Sequence, residues 1–135
     1  MDRVRDAMVT EPRSLLVTAS AQEAGEILVK PEVRAIYVVD GDGRLAGVIT
    51  RKTLVTRVVA EGRDPSWTEV AEIAEQPHYT LDPDASLDEA FHFLEEHDAE
   101  RVPVVDAVGR LLGVLSRSVV QRRLAEDEEP SEPDA

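Results

Sequence analysis

Tyr37-Val38-Val39-Asp40-Gly41-Asp42-Gly43-Arg44-Leu45-Ala46-Gly47-Val48-Ile49-Thr50 reads as a strand, a tight turn and a second strand in unbroken succession. The Asp-Gly-Asp-Gly run is a strong hairpin turn, because its glycines can take positive φ. A shift of 66 residues, read from Asp40 to Asp106, brings the same text back. Val38-Val39-Asp40 returns as Val104-Val105-Asp106, Gly43-Arg44-Leu45 as Gly109-Arg110-Leu111, and Gly47-Val48 as Gly113-Val114. The same shift carries Ala19-Ser20 onto Ala85-Ser86, Glu23-Ala24 onto Glu89-Ala90, Leu28 onto Leu94 and Arg51 onto Arg117, with no gap. A duplicated unit of this size packs against its twin, because one copy cannot bury its apolar face alone.

Working outward, each copy reads as strand, helix, strand, strand, helix. Leu15-Leu16-Val17 is a short apolar run. Ser20 with Glu23, and Ser86 with Glu89, form capping boxes in which each side chain satisfies an orphan backbone donor. Leu87, Ala90, Phe91 and Leu94 share one helical face. Ala21, Ala24 and Leu28 occupy the matching places in the first copy, with Gly25 where Phe91 sits. Ala35 to Val39 and Val102 to Val105 are short and β-branched, as buried strands are. Leu45 to Ile49 and Leu111 to Leu115 are their partners. Thr50 and Ser116 stand at helix N-caps. Leu54, Val55, Val58 and Val59 mark the apolar side of the first closing helix; Val119, Val120 and Leu124 mark the second. A short helical lead, Val4 to Met8 and Val70 to Ala74, precedes each copy. The connector is Glu61 to Ser66, and Trp67 beside it is expected to anchor packing between lobes. The expected fold is α+β, with lobes at residues 1–62 and 63–125 sharing one core.

Composition narrows the function. The 135 residues carry a net charge of −13. The last ten hold six acids, no base and two prolines, so residues 126–135 are expected to be a disordered acidic tail. The remainder keeps 22 acids against 15 bases, which argues against binding a phosphate backbone. There is no cysteine, hence no disulfide and no thiol chemistry. No apolar segment is long enough to cross a bilayer and the N-terminus lacks a signal peptide's apolar stretch, so a cytoplasmic location is expected. His78, His92 and His97 lack a metal-ligand spacing, and no nucleophile-and-base arrangement appears. Neither catalysis, a metal nor a cofactor is therefore expected.

With these residues in view, residues 4–125 resemble a tandem pair of CBS domains, the family named after cystathionine β-synthase. Val4-Arg5-Asp6-Ala7-Met8 is similar to the family's lead helix, and Arg101-Val102-Pro103-Val104-Val105-Asp106 to its central strand. Gly47-Val48-Ile49-Thr50 and Gly113-Val114-Leu115-Ser116 match its glycine-strand-hydroxyl ending. The resemblance implies two β-α-β-β-α repeats related by a pseudo-two-fold axis, with clefts that bind AMP, ADP, ATP, S-adenosylmethionine or a dinucleotide. It further implies a non-enzymatic regulatory module, a homodimer, and an unknown protein partner in trans.

Ligand-binding candidates follow from the same comparison. Ile36, Tyr37, Val102 and Pro103 hold the family's base-contacting strand positions. Thr50 and Ser116 offer helix starts that favour anions. Arg51, Lys52 and Arg117 flank them. Arg34, His78 and Arg101 are further candidates for phosphate. Each has a structural reading beside it: Tyr37 as core, His78 as a loop residue and the cations as a solvated surface. The sequence departs from the family where binding members carry a ribose-accepting aspartate. Thr53 offers only a neutral acceptor there, and Val119 offers none. The alternative is a ligand-free dimerising adaptor; a cation-responsive module is a third reading.

Overall fold

The computed structural model describes residues 2–128. In chain order the elements begin with α1 (Val4–Ala7), β1 (Val9–Thr10), β2 (Ser14–Leu16), α2 (Ala21–Leu28), β3 (Ile36–Val39), β4 (Leu45–Ile49) and α3 (Arg51–Leu54). A π-helical turn, Val55–Val59, extends α3. There follow α4 (Val70–Ile73), α5 (Leu87–Glu96), β5 (Arg101–Val105), β6 (Leu111–Ser116) and α6 (Arg117–Glu128). They form two compact units. One takes residues 11–78 and 107–111; the other takes residues 2–10, 79–106 and 112–128.

The unit built on the first repeat has a sheet ordered β2-β3-β4, with β2 parallel and β4 antiparallel to β3. Ser20 starts α2 as the spacing predicts. Its hydroxyl accepts from Glu23 N at 3.1 Å, and the Glu23 carboxylate accepts from Ser20 N at 3.2 Å. The helix then lays Ala21, Ala24 and Leu28 over Ile36, Val38 and Ile49. Val70 and Ile73 of α4 complete this core at 0% exposure. Burying such a side chain stabilises by about 1.5–3 kcal/mol. Glu75, just past α4, bridges to Val48 through N–H···O bonds of 2.8 and 2.9 Å. Gly47 admits that approach, since a Cβ there would lie 2.7 Å from the Ala74 Cβ.

The other unit repeats the plan with the N-terminal lead. Its sheet is ordered β1-β6-β5, and Val9 pairs antiparallel with Val114. Val4 joins Leu87, Leu94, Val102, Val104, Leu115 and Val120 in the core. Here Gly113 is the point of close approach. The expected first strand of the second copy shrinks to one parallel bridge, Leu81 to Val104. The reason is Pro83. In the first copy Val17 N donates to Val39 O at 2.9 Å. Proline at the equivalent place has no N–H to give.

Four expectations are corrected. In the hairpin turn only Gly43 (φ 84°) takes positive φ, matched by Gly109 (φ 89°); Gly41 does not. Asp40 does the rest, its carboxylate accepting from Asp42 N and Arg44 N at 2.9 Å. Val55 and Val59 are exposed, at 57% and 73%, while Val58 between them is buried. The π turn accounts for this, because an i to i+5 bond (Ala60 N to Val55 O, 2.8 Å) shifts the apolar register. Trp67 is 86% exposed and anchors nothing within its unit. Finally, α6 continues through residues 126–128, the first three of the expected tail. Residues 129–135 lie outside the described part.

Candidate functional site

In each repeat a buried strand stands beside a strand that ends on a hydroxyl and a helix start. Strand alternation sends successive side chains to opposite faces. In β3, Ile36 and Val38 enter the helix-side core, so Tyr37 faces the other way. It is nonetheless only 5% exposed. In β5, Val102 and Val104 enter the core and Pro103, equally buried, is the counterpart of Tyr37. On β3 and β5, Tyr37 and Pro103 are therefore buried side chains that belong to neither apolar core. The side chains of Ile36 and Val102 are committed to those cores at 0% and 1% exposure. That leaves their backbone as what these positions can present to a ligand.

The first helix start is closed by its own hydroxyls. Thr50 N donates to Thr53 Oγ1 at 3.0 Å, Thr53 N donates to Thr50 Oγ1 at 3.4 Å, and the two hydroxyls lie 3.2 Å apart. Thr53 is 1% exposed. Its oxygen, considered above as a ribose acceptor, is already used inside the fold. The second start is capped by Ser116, whose Oγ accepts from Val119 N at 3.3 Å and pairs with Ser118 Oγ at 3.0 Å.

The equivalent arginines do equivalent work. Arg51 donates to Lys30 O at 2.7 Å, tying the closing helix to the turn after α2. Arg117 donates to Asp98 Oδ1 at 3.2 Å and lies 3.6 Å from Glu100 Oε2, tying its helix to the turn after α5. Arg34, Lys52, His78 and Arg101 are exposed, Arg34 just ahead of β3 and Arg101 at the first position of β5. The sequence gives no sign of Lys30 O, Asp98 or Glu100 as partners, since such pairings depend on how helix ends meet. His97 caps α5 and stacks against Tyr79 and Phe93, with ring centroids 4.6 and 4.4 Å away. Among the described residues no group of three or more His, Asp or Glu side chains is placed to hold a metal ion.

Both repeats thus share the glycine approach, the hydroxyl cap and the arginine tie. The family model for the CBS domain matches residues 4–60 and again residues 70–126. The chain belongs to the CBS domain family. It is 33% identical over 110 residues to Hypoxic response protein 1 of Mycobacterium tuberculosis, covering 82% of this chain and 73% of that one. It is 31% identical over 116 residues to the CBS domain-containing protein YhcV of Bacillus subtilis, covering 86% and 81%. The crystal structure of Hypoxic Response Protein I with two coordinated zinc ions matches this CBS pair with TM-score 0.77 and 28% identity, over 91% of this chain and 99% of that one. CBSX2 in complex with AMP shares the fold at TM-score 0.77 and 24% identity, over 96% and 100%.

Proposed function

We propose that this CBS pair is a non-enzymatic regulatory module that binds an adenosine-containing ligand, such as AMP, ADP, ATP or S-adenosylmethionine, and signals its presence to a protein partner. One observation carries the reading. Tyr37 and Pro103 occupy equivalent strand positions outside the apolar cores, each in a repeat whose helix begins on a capping hydroxyl. The AMP-bound CBSX2 supports adenosine as the ligand class through the common fold. Exposed Arg34, Lys52 and Arg101 are the cations available to phosphate. In this proposal the protein acts in the cytoplasm as a homodimer, with lobes at residues 1–62 and 63–125.

The ribose is where affinity is lost. The Thr53 hydroxyl is spent on its cap and Val119 has none, so neither position offers the charge-assisted acceptor of a carboxylate. An unpaired buried hydroxyl costs about 1–3 kcal/mol, or roughly one to two decades in Kd. Titration calorimetry with AMP, ATP and S-adenosylmethionine tests the proposal. Binding is expected in the high-micromolar range, and silence from all three at millimolar concentration sinks it.

The second reading, a ligand-free dimerising adaptor, draws on the closed Thr50–Thr53 cap and on Arg51 and Arg117 being engaged within the fold. A nucleotide released from gently purified protein and identified by mass spectrometry would exclude it.

A further inference from the structure

We propose that Met8 is an oxidation-sensitive latch: a peroxide that converts its thioether to the sulfoxide releases the N-terminal lead from the second repeat, and a reductase that removes the oxygen restores it. The lead, residues 2–10, packs into the unit of the second repeat although the whole first repeat separates them in the chain. Val4 N donates to Ala85 O at 2.9 Å, Arg5 N to Pro83 O at 3.0 Å, and Leu87 N to Asp2 O at 3.0 Å. Val4 and Ala7 belong to the core of that unit, and Met8 packs against it.

The repeat singles out the sulfur. The 66-residue shift carries Met8 onto Ala74. Both stand over the glycine of close approach. A Cβ at Gly47 would lie 2.7 Å from Ala74 Cβ, and one at Gly113 would lie 3.0 Å from Met8 Sδ and 3.2 Å from its Cγ. The first repeat closes this contact with a methyl group, which a peroxide does not attack. The second closes it with a thioether, and Met8 is half-buried rather than sealed in the core. The chain has no cysteine to intercept an oxidant, and its other methionine is Met1.

In the oxidation, a sulfur lone pair attacks one oxygen of hydrogen peroxide and the O–O bond breaks. Sulfur keeps that oxygen and loses two electrons to the peroxide. The departing hydroxide takes the proton from the transferred oxygen and leaves as water. The product sets a polar S=O where an apolar chain had packed against Gly113 and the core. Little else holds the end of the lead. Strand β1 is two residues long, pairs with Val114 and Gly113, and exposes both Val9 and Thr10. Glu11, where the chain leaves this unit, has φ 53°, a left-handed backbone that a residue other than glycine adopts only under strain. That strain favours release once the sulfur contact is lost.

Amide hydrogen exchange read by nuclear magnetic resonance tests the latch, and the first repeat supplies the control. After treatment with hydrogen peroxide, mass spectrometry is expected to find one added oxygen on Met8. Exchange at Val4, Met8 and Leu87 is expected to quicken about tenfold or more, because their bonds tie down the lead. Val48 and Glu75, which bond each other beside Ala74, are expected to keep their protection. A methionine sulfoxide reductase is expected to remove the oxygen and return the lost protection. Met8→Leu conserves volume without offering a thioether, so its lead should stay protected through the same treatment. The proposal is overturned if Met8 stays unoxidised where free methionine is fully converted, or if its sulfoxide leaves exchange unchanged. Loss of protection that is as great in Met8→Leu, or that the reductase does not reverse, overturns it equally. The exchange and reductase measurements use the parent chain and stand without the variant.

Discussion

Replacing Gly113 by alanine would set a methyl carbon 2.6 Å from the carbonyl oxygen of Val9 and 3.0 Å from the Met8 sulfur. The sulfur sits on a flexible side chain and can move. The carbonyl belongs to β1, whose two residues pair with Val114 and Gly113 itself. Restoring ordinary contact, at 3.4 Å, requires β1 to recede by roughly 0.8 Å. Overpacking of this kind costs about 1–3 kcal/mol. Stretching one bond of so short a ladder adds about 0.5–1.5 kcal/mol. A loss of about 2–3 kcal/mol is therefore expected, which lowers Tm by roughly 6–12 °C for a chain of this size. Scanning calorimetry of Gly113→Ala beside Gly41→Ala is the measurement. Gly41 has nothing within 4 Å of an added Cβ and no positive φ, so its variant should melt within about 2 °C of the parent or slightly above it. If Gly113→Ala melts with Gly41→Ala, the close approach of the N-terminal lead does not constrain the fold and the reasoning fails.

Other perturbations test the cap, the ties and the exposed valines. Thr53→Val keeps the shape but removes the acceptor for Thr50 N, and should cost about 1–2 kcal/mol in urea unfolding. It should leave any adenosine affinity within about twofold, because the lost oxygen was facing its own cap; a tenfold loss in calorimetry would restore Thr53 as a ligand group. Arg117→Ala breaks exposed ion pairs with Asp98 and Glu100 and should cost no more than about 1 kcal/mol, a difference that shrinks in 1 M salt. Val59→Lys should leave urea unfolding within about 0.5 kcal/mol of the parent, since the side chain is 73% exposed, whereas Val58→Lys, at 4% exposure, should unfold the first repeat's core.

The repeat, and through it most of the architecture, can be read along the chain. Exact spacing between Asp40 and Asp106 fixed which strands and helices correspond. Local chemistry fixed where they start, because Ser20, Ser86, Thr50 and Ser116 each satisfy a donor within three residues in the chain. Tertiary structure alone decided what those residues are free to do. Thr53 and Arg51 read as ligand groups along the chain, and only packing shows the Thr53 hydroxyl turned to its own cap and one Arg51 N–H given to Lys30 O in the turn after α2. Tyr37 and Ile36 read alike until the core shows which face of β3 is filled. Val55 and Val59 read as core until a π turn rotates them outward. Capping and turn formation are satisfied by neighbours in the chain, so they can be read along it. The availability of a side chain to a ligand or a second copy is set by groups distant in sequence, and only packing brings those together.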